Sequence, residues 1–138
     1  SFNAARRNSN GFEINRALLL LAVMEKRGGM AIAGCDAYIN VIGGLYLNET
    51  AADLAAVLAI ASSFRDRPIS SDVAAVGEVG LTGEIRSVNQ INQRLNEIAR
   101  LGFKRCVIPE HIRGELKAPR DLELISVRNI REAIDAVV

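Results

Sequence analysis

Apolar residues recur along this chain in two rhythms, and the switches between them mark out its elements. An opening polar segment, residues 1–16, contains a turn at Asn8, Ser9, Asn10 and Gly11. From about Phe12 to Arg27 the apolar positions form a broad helical face, closed by the glycine stop Gly28-Gly29. Met30 to Ile42 carries strand alternation, clearest in Ala37-Tyr38-Ile39-Asn40-Val41-Ile42, and Gly43-Gly44 leads into a short Leu45-Tyr46-Leu47 strand, which predicts a hairpin. Thr50 to Phe64 is apolar nearly all round, the pattern of a central helix packed on most sides. Thr50 and Asp53 fit a Thr-x-x-Asp capping box as its structural start, and Arg65-Asp66-Arg67-Pro68 ends it.

In the second half, Val73 to Val79 and Glu84 to Val88 alternate around Gly80 to Gly83 and predict paired strands. Ile91, Leu95, Ile98 and Leu101 then space one helical face up to Gly102, with Asn92, Gln93, Asn96 and Arg100 away from it. A short buried strand at Arg105 to Ile108, a connector, a strand at Leu122 to Val127 and a helix from about Asn129 complete the chain. This alternation predicts an α+β (mixed α/β) fold, a mixed sheet with helices packed against it. The length, 138 residues, suits one domain spanning residues 1–138.

Composition narrows the function classes. Hydrophobic residues make up 49% and the net charge is +1, so composition implies neither disorder nor a strongly basic nucleic-acid binder. Arginines far outnumber the three lysines, Lys26, Lys104 and Lys117, which suits forked contacts to phosphate or carboxylate but equally fits a genomic base composition rich in arginine codons. Cys35 and Cys106 both sit in apolar surroundings and read as core residues; with the lone His111 they make no recognisable zinc set, so no metal site is expected. The longest apolar run, Ala17 to Met24, is too short to span a bilayer, and no cleavable signal precedes it. A reduced, cytoplasmic chain without a membrane partner is expected, and the missing initiator methionine suggests a fragment of a longer protein.

Chemical motifs are mostly negative. Val76 to Gly83 lacks the Gly-Lys-Ser/Thr ending of a phosphate loop and precedes a strand rather than a helix. Glu78 and Glu84 flank a hairpin turn and read as exposed turn residues or partners for nearby arginines rather than an acid/base pair. What remains is a set of arginines: Arg65 and Arg67 leaving the central helix, Arg86 on the hairpin, and Arg94 and Arg100 on the following helix. These are candidates for phosphate or subunit contacts. Aromatic residues make up only 4%, so base stacking has little support and any DNA binding should be backbone-directed and salt-sensitive.

The order Gly77-Glu78, Leu81-Thr82-Gly83-Glu84-Ile85, an amphipathic helix, Gly102-Phe103-Lys104 and Val107-Ile108-Pro109 resembles the peptidase domain of Lon-type proteases. With Val41-Ile42-Gly43-Gly44 and Ser62 to Pro68 added, it resembles the Lon-like C-terminal domain of the RadA (Sms) family of bacterial DNA repair proteins, from about Arg6 to the end. The resemblance implies a ribosomal protein S5 domain 2-like sandwich. Lon peptidases use a serine nucleophile and a lysine base; counting without gaps puts Ala51 at the serine position and Asn92 at the lysine position. A methyl has no lone pair and a carboxamide takes no proton near neutrality, and loss of a nucleophile typically lowers turnover about a million-fold. Ser62, Ser63, Ser70, Ser71 and Ser87 lie away from that helix start. The resemblance therefore implies no catalytic residue here and no cofactor in this chain, with ATP, Mg and Zn confined to an upstream part of the parent. It also implies a homo-oligomer, a hexameric ring in the parent, that engages the DNA backbone, chiefly single-stranded, alongside a RecA-type recombinase. The alternatives are a residual serine-type peptidase and a pure protein-interaction module.

Overall fold

A computed structural model describes residues 4–138, so the first three positions of the polar opening segment lie outside it. The chain begins with strand β1 (Arg7–Asn10) and helix α1 (Ile14–Arg27). Glu13 caps α1, its carboxylate accepting from the N–H groups of Asn15 (3.0 Å) and Arg16 (2.8 Å). Lys26 and Arg27 occupy its last turn, where the helix dipole favours cations. Ala17, Leu20, Leu21, Val23 and Met24 form its buried face.

Strand β2 (Ala37–Asn40) does not make the expected hairpin. It pairs in parallel with β1, from Arg7 beside Ala37 to Asn10 beside Asn40, because α1 carries the chain back to the same end of the sheet. Residues 42–46 leave the ladder, and Leu47 returns to a bridge with Phe12 rather than to β2. Gly43 and Gly44 both take left-handed backbone (φ 89° and 68°), opening a loop where a two-residue turn was expected. Cys35 is exposed on the connection between α1 and β2, contrary to its reading as a core residue; Cys106 is buried as expected.

A turn of tighter helix (Thr50–Ala52) leads into helix α2 (Asp53–Arg65), the central helix, which packs on α1. The predicted single strand at Val73 to Val79 is split in two. Strand β3 (Val73–Ala75) joins a parallel sheet, and strand β4 (Glu78–Val79) pairs antiparallel with β5 (Ile85–Arg86). Gly77 separates them: its N–H donates to Ala51 C=O (3.0 Å) and its C=O accepts from Leu54 N–H (3.1 Å), so its backbone holds α2 instead of a strand. A Cβ at Gly77 would lie 2.8 Å from Ile85 Cγ2.

Helix α3 (Ile91–Arg100), strand β6 (Arg105–Pro109), strand β7 (Glu123–Val127) and helix α4 (Ile130–Val137) follow. The sheet order is β3-β6-β7, all parallel. Both faces of this sheet are covered, which is why the middle strand reads as a continuous apolar run. Val107 faces a core shared with α1, α2 and α4, while Cys106 and Ile108 face Ile91 and Leu95 of α3. Leu101, expected on the apolar face of α3, is exposed where Gly102 (φ 96°) turns the chain.

Candidate functional site

The gapless count puts a Lon-type nucleophile position at Ala51, beside the start of α2, and the placement of this helix end follows from backbone pairing. The hydrogen bonds between Gly77 and both Ala51 and Leu54 dock this helix end against the end of β3. Ala51 is buried, and its methyl lines two adjoining depressions. One, about 540 Å³, is walled by Ala75, Val76, Gln93, Arg94 and Ile98; the other, about 370 Å³, by Asn48, Thr50, Glu78, Ser87 and Asn89. The pairing of Val76 N–H with Val107 C=O sets the ladder phase, so the amide and carbonyl of Ala75 point away from β6 toward the first depression.

The capping box does not form. Thr50 makes no side-chain cap bond, and Asp53 turns inward, fully buried. Its carboxylate accepts from Arg16 Nε (2.9 Å), from Arg16 Nη2 and from Val79 N–H (3.1 Å), while Arg16 Nη2 also donates to Val79 C=O (3.1 Å). One ion pair thereby ties α1, α2 and β4 together behind Ala51. The Thr-x-x-Asp spacing is a local signal, whereas Arg16 is remote in sequence; only the charge among apolar neighbours hinted at a buried partner.

Asn92, which the gapless count puts at the lysine position, lines neither depression. Its Nδ2 donates to Glu115 C=O (2.8 Å) and its Oδ1 accepts from Lys117 N–H (2.8 Å), fastening the connector between β6 and β7. The α3 side chain that shares the depression with Ala51 is Arg94. Arg94 donates through Nε to Asn89 C=O (2.8 Å) and through Nη2 to Asn89 Oδ1 (2.7 Å), and forms an ion pair with Glu49. A guanidinium stays protonated at any ordinary pH and offers no lone pair for general-base chemistry. Ser87 is the serine beside Ala51, its hydroxyl accepting from Arg113 N–H (3.3 Å), and neither depression is lined by lysine or histidine. Ser62 lies at the far end of α2, its hydroxyl donating to Arg67 C=O (2.6 Å).

The five candidate arginines do not converge. Arg86 lies between Glu84 (2.9 Å) and Glu78 (3.8 Å), as partners for these glutamates were expected, and Arg94 is engaged beside Ala51. Arg100 pairs with Glu97 one helical turn back, where both are exposed. Among the described residues, Arg65 and Arg67 have no ion-pair partner. They lie where α2 runs toward β3, the sheet end at which Lys104 N–H and Arg105 N–H both reach Asp72 C=O. There Ser70 and then Arg105 hold the Asp72 carboxyl below its ordinary range.

The hairpin turn is locked by Glu84. Thr82 donates through its hydroxyl (2.7 Å) and backbone N–H (3.1 Å) to Oε1, and Arg86 donates to Oε2 (2.9 and 3.1 Å). The Thr82 hydroxyl, followed by Arg86, lowers the Glu84 carboxyl to about 2. Burial raises the Cys106 thiol to about 12, which removes it as a nucleophile. Among the described residues no three His, Cys, Asp or Glu side chains converge on a possible metal position, and no helix is long and apolar enough to cross a membrane.

Comparison with known proteins agrees with the scaffold. The Lon protease (S16) C-terminal proteolytic domain matches residues 38–138. The chain is 48% identical over 134 residues to the DNA repair protein RadA of Bacillus subtilis, covering 97% of this chain and 29% of that protein. It is 44% identical over 136 residues to the RadA of Streptococcus pneumoniae, covering 99% of this chain and 32% of that protein, and 45% identical to the RadA of Halalkalibacterium halodurans over 100% of this chain and 30% of the relative. The chain thus spans about a third of these relatives. It belongs to the Lon protease (S16) C-terminal proteolytic domain family, and its likeness is to the form of that domain carried by RadA DNA repair proteins.

Proposed function

We propose that this chain is a non-cleaving Lon-type domain of a RadA-type DNA repair protein, acting in the cytoplasm as a scaffold for ring assembly and as a surface that engages DNA backbone. The observation that carries this reading is the depression at Ala51. A methyl occupies the nucleophile position, and the facing cation, Arg94, is held by Glu49 and Asn89. The likeness to RadA proteins supports the repair context. In this reading the nucleotide and zinc chemistry belong to other parts of the parent, and the DNA-facing cations are Arg65 and Arg67, which carry no carboxylate partner among the described residues.

The test has two arms. Incubation with casein or a fluorogenic peptide is expected to give no turnover above buffer; turnover that disappears in Ser62→Ala, Ser63→Ala or Ser87→Ala would reinstate a serine peptidase. Fluorescence anisotropy of a labelled single-stranded oligonucleotide should show binding that weakens steeply with salt. A second reading, an interaction module without a nucleic-acid role, is favoured by the internal pairing of Arg86, Arg94 and Arg100. It predicts no anisotropy change even at low salt.

A further inference from the structure

Five residues interrupt the ladder between β1 and β2. Val41 N–H still donates to Asn10 C=O (2.9 Å), Leu47 N–H resumes by donating to Gly11 C=O (2.6 Å), and residues 42–46 project between them as a finger. Ile42 is 88% exposed, and Leu45 and Tyr46 are 62% exposed each. Gly43 and Gly44 have open space around them. No charged residue occurs from Ala37 to Asn48, so the finger presents apolar side chains to solvent and carries no charge.

Beside the finger lies an apolar cleft of about 620 Å³ between α1, α2 and β2. Leu21, Ile39, Ala56, Ala59, Ile60 and Phe64 wall it, with Arg7 and Asp36 among its polar lining. Finger and cleft meet at Asn40, which lines both. The parallel ladder leaves the backbone N–H and C=O of Tyr38 and Asn40 directed away from β1. Those open groups can receive an extended segment as a further strand.

We propose that the finger of one copy seats in the cleft of a second copy, Ile42, Leu45 and Tyr46 covering the apolar wall formed by α2; this rests on the assembly part of the function proposed above. A second copy is the occupant because one chain carries both halves, so a single kind of contact covers both of its exposed apolar surfaces. Because the finger is uncharged, seating it strands no ion in an apolar site.

The test uses this 138-residue chain in size-exclusion chromatography with light scattering over rising concentration. Ile42→Asp charges the finger and Ala59→Arg obstructs the cleft; both positions are exposed, and unchanged circular dichroism and Tm verify the fold. The wild type is expected to self-associate and each variant to do so about tenfold or more weakly, since a charge would have to be buried. Mixing the two variants should restore pairwise association, as the finger of Ala59→Arg meets the cleft of Ile42→Asp. Self-association unchanged in both variants, or weakened without rescue on mixing, overturns this contact and leaves the assembly reading standing. A wild type that stays monomeric at every concentration overturns both.

Discussion

Removing Arg16 leaves the Asp53 carboxylate buried among apolar side chains with Val79 N–H as its remaining donor. Breaking a buried pair from one side is among the more destabilising single changes, and Arg16→Ala should lower stability in urea unfolding by about 3 kcal/mol, the lower end of the usual range because Arg16 stays partly solvated. Arg100→Ala, which removes a solvent-exposed pair on one helix, should leave the urea midpoint almost unchanged. Glu84 gives a pH-dependent counterpart. Its folded carboxyl titrates at about 2 against an ordinary 4.5, so its stabilisation is fully present above 4.5 and is lost as pH falls toward 2. Glu84→Gln should therefore lower Tm at neutral pH, and the gap from wild type should narrow across that window in a series of thermal melts. Roles of this kind were unevenly legible. Glu84 was readable as an arginine partner because Arg86 is two residues away, whereas Asp53 was mistaken for a cap because its partner comes from another helix. Counting along the chain puts Asn92 at the family's lysine position but does not tell which α3 side chain shares the depression with Ala51, and that side chain is Arg94.

Elements defined by their own residues were the easiest to read. Gly102 ends α3 and Asn129 starts α4 where the pattern placed them. At α4 the cap is reciprocal: Asn129 Oδ1 accepts from Glu132 N–H (2.9 Å), and Glu132 Oε1 accepts from Arg128 N–H (2.9 Å). Asn129→Ala should lower stability by about 1 kcal/mol, read as a fall in the urea midpoint with an unchanged slope. Strand partners were not legible in the same way. Alternation at Ala37 to Ile42 reports which side chains face inward, not which strand lies alongside, so proximity in sequence suggested a hairpin where α1 imposes a parallel neighbour. At Val76-Gly77 the alternation continues although the backbone changes partner, from β6 to α2. Only the glycine marked that change.

For the whole molecule, a net charge of +1 means that binding to nucleic acid must come from placement rather than bulk attraction. If Arg65 and Arg67 each neutralise one phosphate, replacing both by alanine should weaken single-strand binding and make log Kd against log salt shallower by about 1.4, about 0.7 for each contact. Anisotropy titrations at several salt concentrations check this, with Arg86→Ala as the comparison expected to leave the slope unchanged. The topology adds a constraint on how the molecule forms. Pairing β1 with β2 brings Arg7 to Ala37, and pairing β3 with β6 brings Val73 to Arg105, so both require long loops to close before any ladder bond rewards them. The β4–β5 hairpin needs no such closure and can form within about 1–10 μs. The lock made by Thr82, Glu84 and Arg86 therefore acts on the clock as well as on the equilibrium. It supplies an early foothold for the slower parallel pairings, so Glu84→Gln should depress the refolding arm of a stopped-flow chevron while leaving the unfolding arm where it was.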